Sequence, residues 1–167
     1  DTPKVLINTH YHGDHTGGNE NLGGKGTLIF SHDNVRERLT SGSFLAAFKM
    51  KSAATTPTGL PVVTFSQDIS FHLNGDDVHA IHTPHAHTDG DSFIHFKKAN
   101  VIHAGDIFFN GFYPFIDVSH GGSVKGVIAA ADKILALADD NTKLIPGHGP
   151  QGDKVQLLHY RQMLATA

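Results

Sequence analysis

The sequence contains no cysteine, which excludes disulfide bonds and thiolate metal ligands. It also has no uninterrupted apolar stretch that approaches the length of about 18 residues needed by a membrane-spanning helix. Its first residues do not have the basic start and apolar middle of a secretory leader. Positive charge is not in excess, because 13 basic and 16 acidic residues give a formal net charge of -3. We therefore expect a soluble chain with no membrane span and no nucleic-acid partner, in either the periplasm or the cytoplasm.

Histidine, by contrast, is abundant, with 14 residues in a chain of 167. A single histidine usually lies on the surface or in the core, but His10, His12, Asp14 and His15 stand together in one short run. Two imidazoles one residue apart at a strand end point the same way, so one metal can bind both. Gly13 eases a tight turn that directs Asp14 and His15 beside the first pair. This short run of ligands therefore predicts a site for two metal ions.

Further ligands must come from distant parts of the chain, because three or four protein ligands hold a catalytic zinc. Three candidates, His87, Asp106 and His148, each follow a short apolar run and a glycine or proline turn. Ligand sites in open α/β sheets gather where strands end, so these turns can converge with the histidine run. His82 and His85 compete with His87 for the same role.

The order His-x-His-x-Asp-His, then a distant His, an Asp and a final His, resembles the metallo-β-lactamase superfamily of metallohydrolases. The resemblance runs from Lys4 to about Arg161. It favours His87 over its neighbours, because Thr88-Asp89-Gly90 is similar to the family's His-Thr-x-Gly.

The resemblance also implies a ligand set and a cofactor, two zinc ions per chain. It assigns His10, His12 and His87 to the first zinc, Asp14, His15 and His148 to the second, and Asp106 to a bridge between them. Iron or manganese suits the same donors. Nearby groups such as Asp89 and Asp91 are candidates to orient the ligands. We expect the remaining histidines to be exposed or to support the ligands: His32, His72, His79, His95, His103, His120 and His159.

The fold that the resemblance implies is an αββα sandwich, with two sheets face to face and helices outside. The family normally places several strands and a helix before the histidine run, whereas here Val5-Leu6-Ile7 leads straight into it. We therefore expect residues 1–167 to form a single, N-terminally incomplete domain, from a truncated or processed polypeptide. A missing N-terminal segment or a second copy of the chain would cover its exposed sheet edge.

Pattern and composition predict several elements along the chain. Helices are expected over 34–39, capped by Ser31 or Asp33, over 124–138, and over 154–164 with Val155, Leu158 and Met163 inward. The polar segment 40–61 is expected to be mobile, and Asn74-Gly75-Asp76 is expected to form a hairpin turn.

Two zinc ions about 3.5–4 Å apart make hydroxide available from a bridging water, so the sequence predicts a hydrolase of a small molecule. Asp14 would orient that hydroxide. The bond is an amide, lactam, lactone or ester, as in β-lactamases, although those enzymes usually have Cys or Ser where Asp106 stands. The alternatives are a thioester hydrolase of the glyoxalase II type, a phosphodiesterase, which the acidic balance disfavours, and a non-catalytic metal-binding fragment.

The segment that follows Asp106, residues 108–116, is unusually aromatic for a loop. Its rings either pack in the core or line the substrate pocket. In the second case Tyr113 or Phe112 forms a pocket wall, and the Tyr113 hydroxyl can donate to a developing oxyanion.

Overall fold

The computed structural model describes residues 2–166, whose strands form two main sheets and a separate hairpin. The strands are β1 (Val5–Ile7), β2 (Leu28–His32), β3 (Ser43–Leu45), β4 (Met50–Ser52), β5 (Val63–Phe65), β6 (Asp68–Leu73), β7 (Asp76–His82), β8 (Ser92–Phe96), β9 (Val101–Phe109) and β10 (Lys143–His148). The helices are α1 (Gly13–Thr16), α2 (Asn19–Gly23), α3 (Asp33–Ser41), α4 (Val124–Leu137) and α5 (Lys154–Thr166).

The first sheet has the strand order β1-β2-β5, and both of its strand pairs are parallel. The second sheet has the order β10-β9-β8-β7-β6, in which only β9 and β10 are parallel. The hairpin between β6 and β7 turns at Asn74 and Gly75, which both have positive φ as a tight two-residue hairpin requires. The predicted turn at this position is confirmed.

The two sheets bury an apolar layer between them. Phe30 of β2 meets Phe71 of β6 edge to face, with ring centroids 4.9 Å apart. Val78 and Ala80 alternate inward along β7, as the period of two in a strand requires. The sheets therefore pack through their inner faces, and the helices are left to the outside.

Helices cover both outer faces of this pair. In α4 the buried residues, among them Val127, Ala131 and Ile134, recur at helical spacing and pack in one cluster with Ile102 of β9. In α3 Val35 is fully buried on the side of the first sheet. The layers run helix, sheet, sheet, helix, so the predicted αββα sandwich is confirmed.

Two local expectations were wrong. In α5 the buried residues are Leu157, Tyr160 and Leu164, spaced three and then four apart on one face. Of the residues expected inward, Val155 and Leu158 are exposed, and Met163 is partly buried against the core. The segment 40–61 contains the β3–β4 hairpin, and its expected mobility stays a prediction. The α3 cap is neither Ser31 nor Asp33 but the preceding His32, whose Nδ1 accepts from the Asn34 amide at 3.2 Å.

Two glycines allow the ends of β1, β9 and β10 to approach one another. Gly105 in β9 has a φ of +54°, and a Cβ there would lie 2.8 Å from the Thr9 Cβ. Gly147 in β10 lies against the Asp106 carboxylate, where any Cβ would overlap an oxygen. The close approach brings the loops at this edge together. Among the helices of residues 2–166, none has the length and apolar character needed to cross a bilayer.

Candidate metal centre

Histidine and aspartate side chains from four separate parts of the chain, which could bind a metal, meet at one edge of the sandwich. They form two groups, in each of which the donor atoms lie within 4.8 Å of one another. The first donor group is His10, His12, His87 and Asp106, and the second donor group is Asp14, His15 and His148. All the residues that the sequence nominated as metal ligands are therefore brought together.

The competing histidines lie elsewhere. The His82 ring stacks on His32 at a centroid distance of 3.6 Å, and its Nδ1 lies 2.8 Å from the Asp91 carbonyl oxygen. His85 is exposed, with its Nδ1 3.0 Å from the Gly121 carbonyl oxygen. Neither belongs to a donor group, so of the three neighbouring histidines only His87 faces the cluster.

The buried Asp106 carboxylate lies between the two donor groups. Its Oδ2 is 3.7 Å from His10 Nε2, 3.3 Å from His87 Nε2 and 3.4 Å from His148 Nε2. Its Oδ1 is 3.0 Å from His15 Nε2. One carboxylate thus contacts histidines of both groups, which is the arrangement that a bridging ligand requires.

Asp14, which lies in the one-turn helix α1, completes the second donor group. Its Oδ2 is 3.2 Å from both His15 Nε2 and His148 Nε2. The side chains of Asp14 and His148 are 57% and 39% exposed, whereas that of Asp106 is 4% exposed. The second donor group therefore faces solvent, and the first lies beneath it.

Hydrogen bonds on the far side of the histidine rings fix their orientation. His12 Nε2 lies 3.0 Å from Asp117 Oδ2, so its Nδ1 faces the cluster, 2.9 Å from His87 Nε2. His87 Nδ1 lies 2.8 Å from the Phe115 carbonyl oxygen. Such outer partners set which ring nitrogen is available to a metal.

Asp117 is a residue that sequence reasoning missed. It also accepts a hydrogen bond from the Tyr11 hydroxyl at 2.6 Å, and His120 Nδ1 lies 2.7 Å from its Oδ2. Burial alone would raise the pKa of Asp117, but hydrogen bonds from His12, Ser119 and Tyr11 hold it well below the usual value. The only available signal was a carboxylate directly after an apolar loop.

The predicted supporting roles of Asp89 and Asp91 take a different form. Asp91 accepts from the Thr88 amide at 2.7 Å and the Thr88 hydroxyl at 2.6 Å, so it braces the loop that carries His87. Burial raises the pKa of Asp91 to about 8. Asp89 pairs with Arg38. Neither carboxylate touches a ring of the donor groups.

The charge states of the cluster suit a cation. Burial lowers the pKa of His10, and burial together with His12 lowers the pKa of His87 to about 4 despite the nearby Asp106. Burial would raise the pKa of Asp106, but the His15 hydrogen bond and the surrounding histidines lower it. Burial would lower the pKa of His15, but Asp106 and Asp14 raise it. The neutral His10 and His87 beside an ionised Asp106 are the protonation states that bind a metal in the first donor group.

One buried atom tests whether the residues fit a metal. His10 Nε2 is buried, faces the cluster and has no hydrogen-bond partner among the residues described. An unpartnered buried polar atom is costly, so such atoms are rare unless a water or ion satisfies them. This nitrogen lies 3.7 Å from the Asp106 carboxylate. The donor set therefore fits a metal ion.

Tyr113 is 76% exposed. Phe112 is half exposed and packs edge to face on Phe109, with ring centroids 5.7 Å apart. The proposed hydrogen bond from Tyr113 to an oxyanion stays a prediction.

Comparison with known proteins identifies the family. The family model described as "Metallo-beta-lactamase superfamily" matches residues 1–148 of this sequence. The chain belongs to the metallo-β-lactamase superfamily. It is thus a member of a family of metal-dependent hydrolases, and its His and Asp cluster lies where a metal site is expected.

Individual superfamily members are similar over nearly the whole chain. "Probable metallo-hydrolase YqgX" of Bacillus subtilis (strain 168) is 24% identical over 153 residues, which cover 91% of this chain and 71% of that protein. The BLEG-1 B3 metallo-beta-lactamase superposes with a TM-score of 0.78 at 21% identity, covering 98% of this chain and 78% of that one. A metallo-beta-lactamase from Pontibacter korlensis gives a TM-score of 0.75 at 21% identity, covering 98% and 70%. At this identity the structural likeness establishes the shared fold.

Proposed function

We propose that this chain is a dinuclear zinc hydrolase that cleaves an amide, lactam, lactone or ester bond of a small molecule. The observation that carries the proposal is the Asp106 carboxylate, whose two oxygens lie 3.0 Å from His15 and 3.3 Å from His87, in different donor groups. His10, His12 and His87 would hold one zinc, and Asp14, His15 and His148 the other. Asp106 would be shared between them.

Two zinc ions held by these residues would lower the pKa of a bound water so that hydroxide is available at neutral pH, and would polarise the substrate's carbonyl group. The protein itself first determines how a substrate reaches the metal centre. Because the side chains of His10 and His87 are 1% and 0% exposed, a substrate can reach the centre only from the side of Asp14 and His148. The buried side excludes bulk water.

Asp14 is the proposed catalytic residue. Its carboxylate lies at the open side, 57% exposed, with Oδ2 held 3.2 Å from His148 Nε2. In this position it can accept a hydrogen bond from the attacking hydroxide, orient it, and take up its proton once the carbonyl carbon has been attacked. Replacing Asp14 by Asn would retain the shape and remove the charge. We expect this change to lower turnover by about 10²–10⁴-fold, the usual contribution of a positioned acid or base.

Metal analysis of single variants tests the ligand assignment. We expect about two zinc ions per wild-type chain by mass spectrometry, and fewer in His87→Ala and in His148→Ala, which each lose a ligand of one group. His72→Ala is the matched control, because His72 is exposed and belongs to neither group. Full zinc occupancy in His87→Ala and His148→Ala would overturn the assignment.

A substrate panel tests the reaction. Wild-type protein is assayed with nitrocefin, a lactone and a thioester, with and without added zinc. We expect zinc-dependent turnover of nitrocefin or the lactone. Turnover of the thioester alone would favour the thioester-hydrolase alternative. Bound zinc without turnover of any of the three would favour a metal-binding chain without catalysis and overturn the proposal.

A further inference from the structure

The β3–β4 hairpin is held at its base and exposed at its tip. At the base, the Thr55 amide donates to the Leu39 carbonyl oxygen at 2.8 Å. Gly42 has a φ of +74°, and a Cβ there would lie 2.6 Å from the Ser52 carbonyl oxygen, so the two arms meet closely. Beyond the base, every residue over 46–54 is exposed. The hairpin therefore presents a defined surface to the solvent.

Large apolar side chains are concentrated at this tip. Phe44, Phe48 and Met50 are 53%, 56% and 58% exposed. The Phe48 ring packs on Phe115, with ring centroids 4.8 Å apart, and the loop after Phe115 adds Val118, which is also exposed. We call Phe44, Phe48, Met50 and Val118 the tip patch. Exposed apolar side chains that lie side by side mark an interaction site with a protein or a membrane.

The charge of this part of the chain is opposite in sign to that of the whole. Residues 38–67 contain three basic side chains and no acidic one, whereas the chain has a formal net charge of -3. Arg38 is paired with Asp89, but neither Lys49 nor Lys51 has an acidic partner within residues 2–166. Both lysines are exposed. The partner that this charge complements is anionic.

The arrangement of charge and apolar surface favours a lipid surface. Lys51 lies opposite Phe44 in the β3–β4 pairing, and Lys49, with a φ of +52°, makes the turn between Phe48 and Met50. A lysine can keep its ammonium group at a lipid phosphate while its stem lies beside buried apolar groups. Fluid lipid closes around protruding side chains, whereas a folded protein needs a matching pocket for each of them.

We propose that the tip patch, together with Lys49 and Lys51, docks the chain reversibly on a membrane surface that contains anionic lipids. Phe48 and Met50 would enter the boundary between headgroups and acyl chains, and the two lysines would contact lipid phosphates. The docking is peripheral, because only side chains of the tip enter the lipid. It does not depend on which bond is hydrolysed at the metal centre.

Cosedimentation with vesicles tests the docking without turnover. The zinc-loaded full chain is mixed with vesicles of phosphatidylcholine alone, or of phosphatidylcholine and phosphatidylglycerol in equal parts. We expect binding to the anionic vesicles that added salt weakens, and much weaker binding to the neutral vesicles. Absence of binding to the anionic vesicles at low salt, or equal binding to both kinds, would overturn the proposal.

Removing the two tip charges tests where the chain binds. The double variant Lys49→Gln with Lys51→Gln is expected to bind anionic vesicles about 10- to 30-fold more weakly, because each lysine near an anionic surface adds to the attraction. The matched control is Lys125→Gln with Lys133→Gln, which removes the same charge from exposed positions on α4. Equal losses in the two double variants would contradict docking through the tip.

A tryptophan at the tip reports insertion into lipid. The chain has no tryptophan of its own, so Met50→Trp introduces a single reporter. We expect its emission to shift to the blue on addition of anionic vesicles, because the indole leaves water. Val155→Trp is the control, since Val155 on α5 is 59% exposed and belongs to another surface. An unshifted emission of Met50→Trp would overturn the proposal.

Two measurements separate lipid from other partners. Poly-glutamate offers negative charge without a bilayer, and binding to it as tight as to the vesicles would overturn the lipid assignment. Sedimentation equilibrium without lipid compares the wild type with the double variant Phe44→Ser and Met50→Ser. We expect the same oligomeric state in both, and a loss of vesicle binding of about tenfold in the variant. A wild-type dimer that these substitutions dissociate would assign the patch to an interface between copies instead.

Discussion

At the scale of single residues, Asp117 has the most partners among the groups that support the candidate ligands. Its carboxylate is buried and receives the Tyr11 hydroxyl at 2.6 Å, with His12 Nε2 at 3.0 Å. Because one nitrogen of His12 is engaged in this way, the other faces His87. The carboxylate therefore selects the ring nitrogen that a metal would meet.

Asp117→Asn should accordingly weaken metal binding without removing a ligand. An asparagine has one acceptor oxygen for the several donors that the two carboxylate oxygens receive and carries no charge, so the His12 ring would be held less firmly. We expect zinc affinity to fall by about 10–100-fold, as for other outer partners of metal-bound histidines. Competition with a chromophoric chelator measures it. Ser119→Ala, which removes only one donor to Asp117, is the control, and wild-type affinity in Asp117→Asn would contradict the role.

The stacked pair of His32 and His82 predicts a pH dependence of stability. Burial and the neighbouring His32 lower the pKa of His82 to about 4, against about 6.5 for an unfolded histidine. Between these values the unfolded chain binds the proton more readily than the folded chain. The free energy of unfolding contributed by this ring is therefore present above about pH 6.5 and lost as the pH falls toward 4.

Urea unfolding of metal-free wild type and His82→Gln at pH 7 and pH 5 checks this expectation. We expect the wild type to lose more stability than the variant between the two pH values. His32→Gln should reduce the loss in the same direction, because burial also lowers the pKa of His32. An equal loss in wild type and His82→Gln would show that the stack does not titrate in this range.

At the scale of secondary-structure elements, the pairing of β9 with β10 positions the two late ligands. The register shifts next to Pro146, and Gly147 lies against the Asp106 carboxylate. The absence of a side chain at Gly147 thus allows Asp106 and His148 to share one site.

Gly147→Ala is expected to disturb both stability and metal binding. A methyl group would overlap Asp106 Oδ1, so either the carboxylate or the strand must move, at a cost of about 1–3 kcal/mol in the free energy of unfolding. Thermal unfolding and zinc titration measure the two effects. Gly18→Ala is the control, because a Cβ there meets nothing within 4 Å. Wild-type zinc affinity in Gly147→Ala would contradict the predicted displacement.

How much of this architecture the sequence reveals depends on whether a feature is local. The donor groups were predictable because each ligand stands beside its own turn and apolar run in the chain. The β6–β7 turn was equally local, at Asn74-Gly75. The buried face of α5 was not, because Tyr160 turns inward only against Phe108 of β9, with ring centroids 5.3 Å apart. The role of Asp117 could not be predicted for the same reason, since its partner His12 is 105 positions away in the sequence.

At the scale of the whole molecule, the candidate ligands belong to different layers of the sandwich. The early run follows β1 of the first sheet, whereas His87, Asp106 and His148 belong to the second sheet and the loop that precedes β8. A metal bound between them would join the two sheets at this edge. Since it binds only the folded arrangement, it would also stabilise the fold by mass action.

Hydrogen exchange with and without zinc tests this coupling. We expect chelation to reduce amide protection in β1 and β2 more than in α4 and β9, which are held by a buried apolar cluster of their own. Zinc at about 100 times its dissociation constant should raise the free energy of unfolding by about 2.7 kcal/mol. Asp106→Ala should show neither response to zinc. Uniform protection changes across both sheets would argue against a metal that joins them.

The position of Asp106 makes both donor groups depend on one carboxylate. Four histidine nitrogens lie between 3.0 and 3.7 Å from its oxygens, so its loss would remove a neighbour from all four rings. Each histidine contacts only a few neighbours, so replacing one histidine should weaken metal binding only in part. Loss of this carboxylate, by contrast, would disturb both donor groups together, so we expect a single substitution at Asp106 to have a larger effect than one at any single histidine of the cluster.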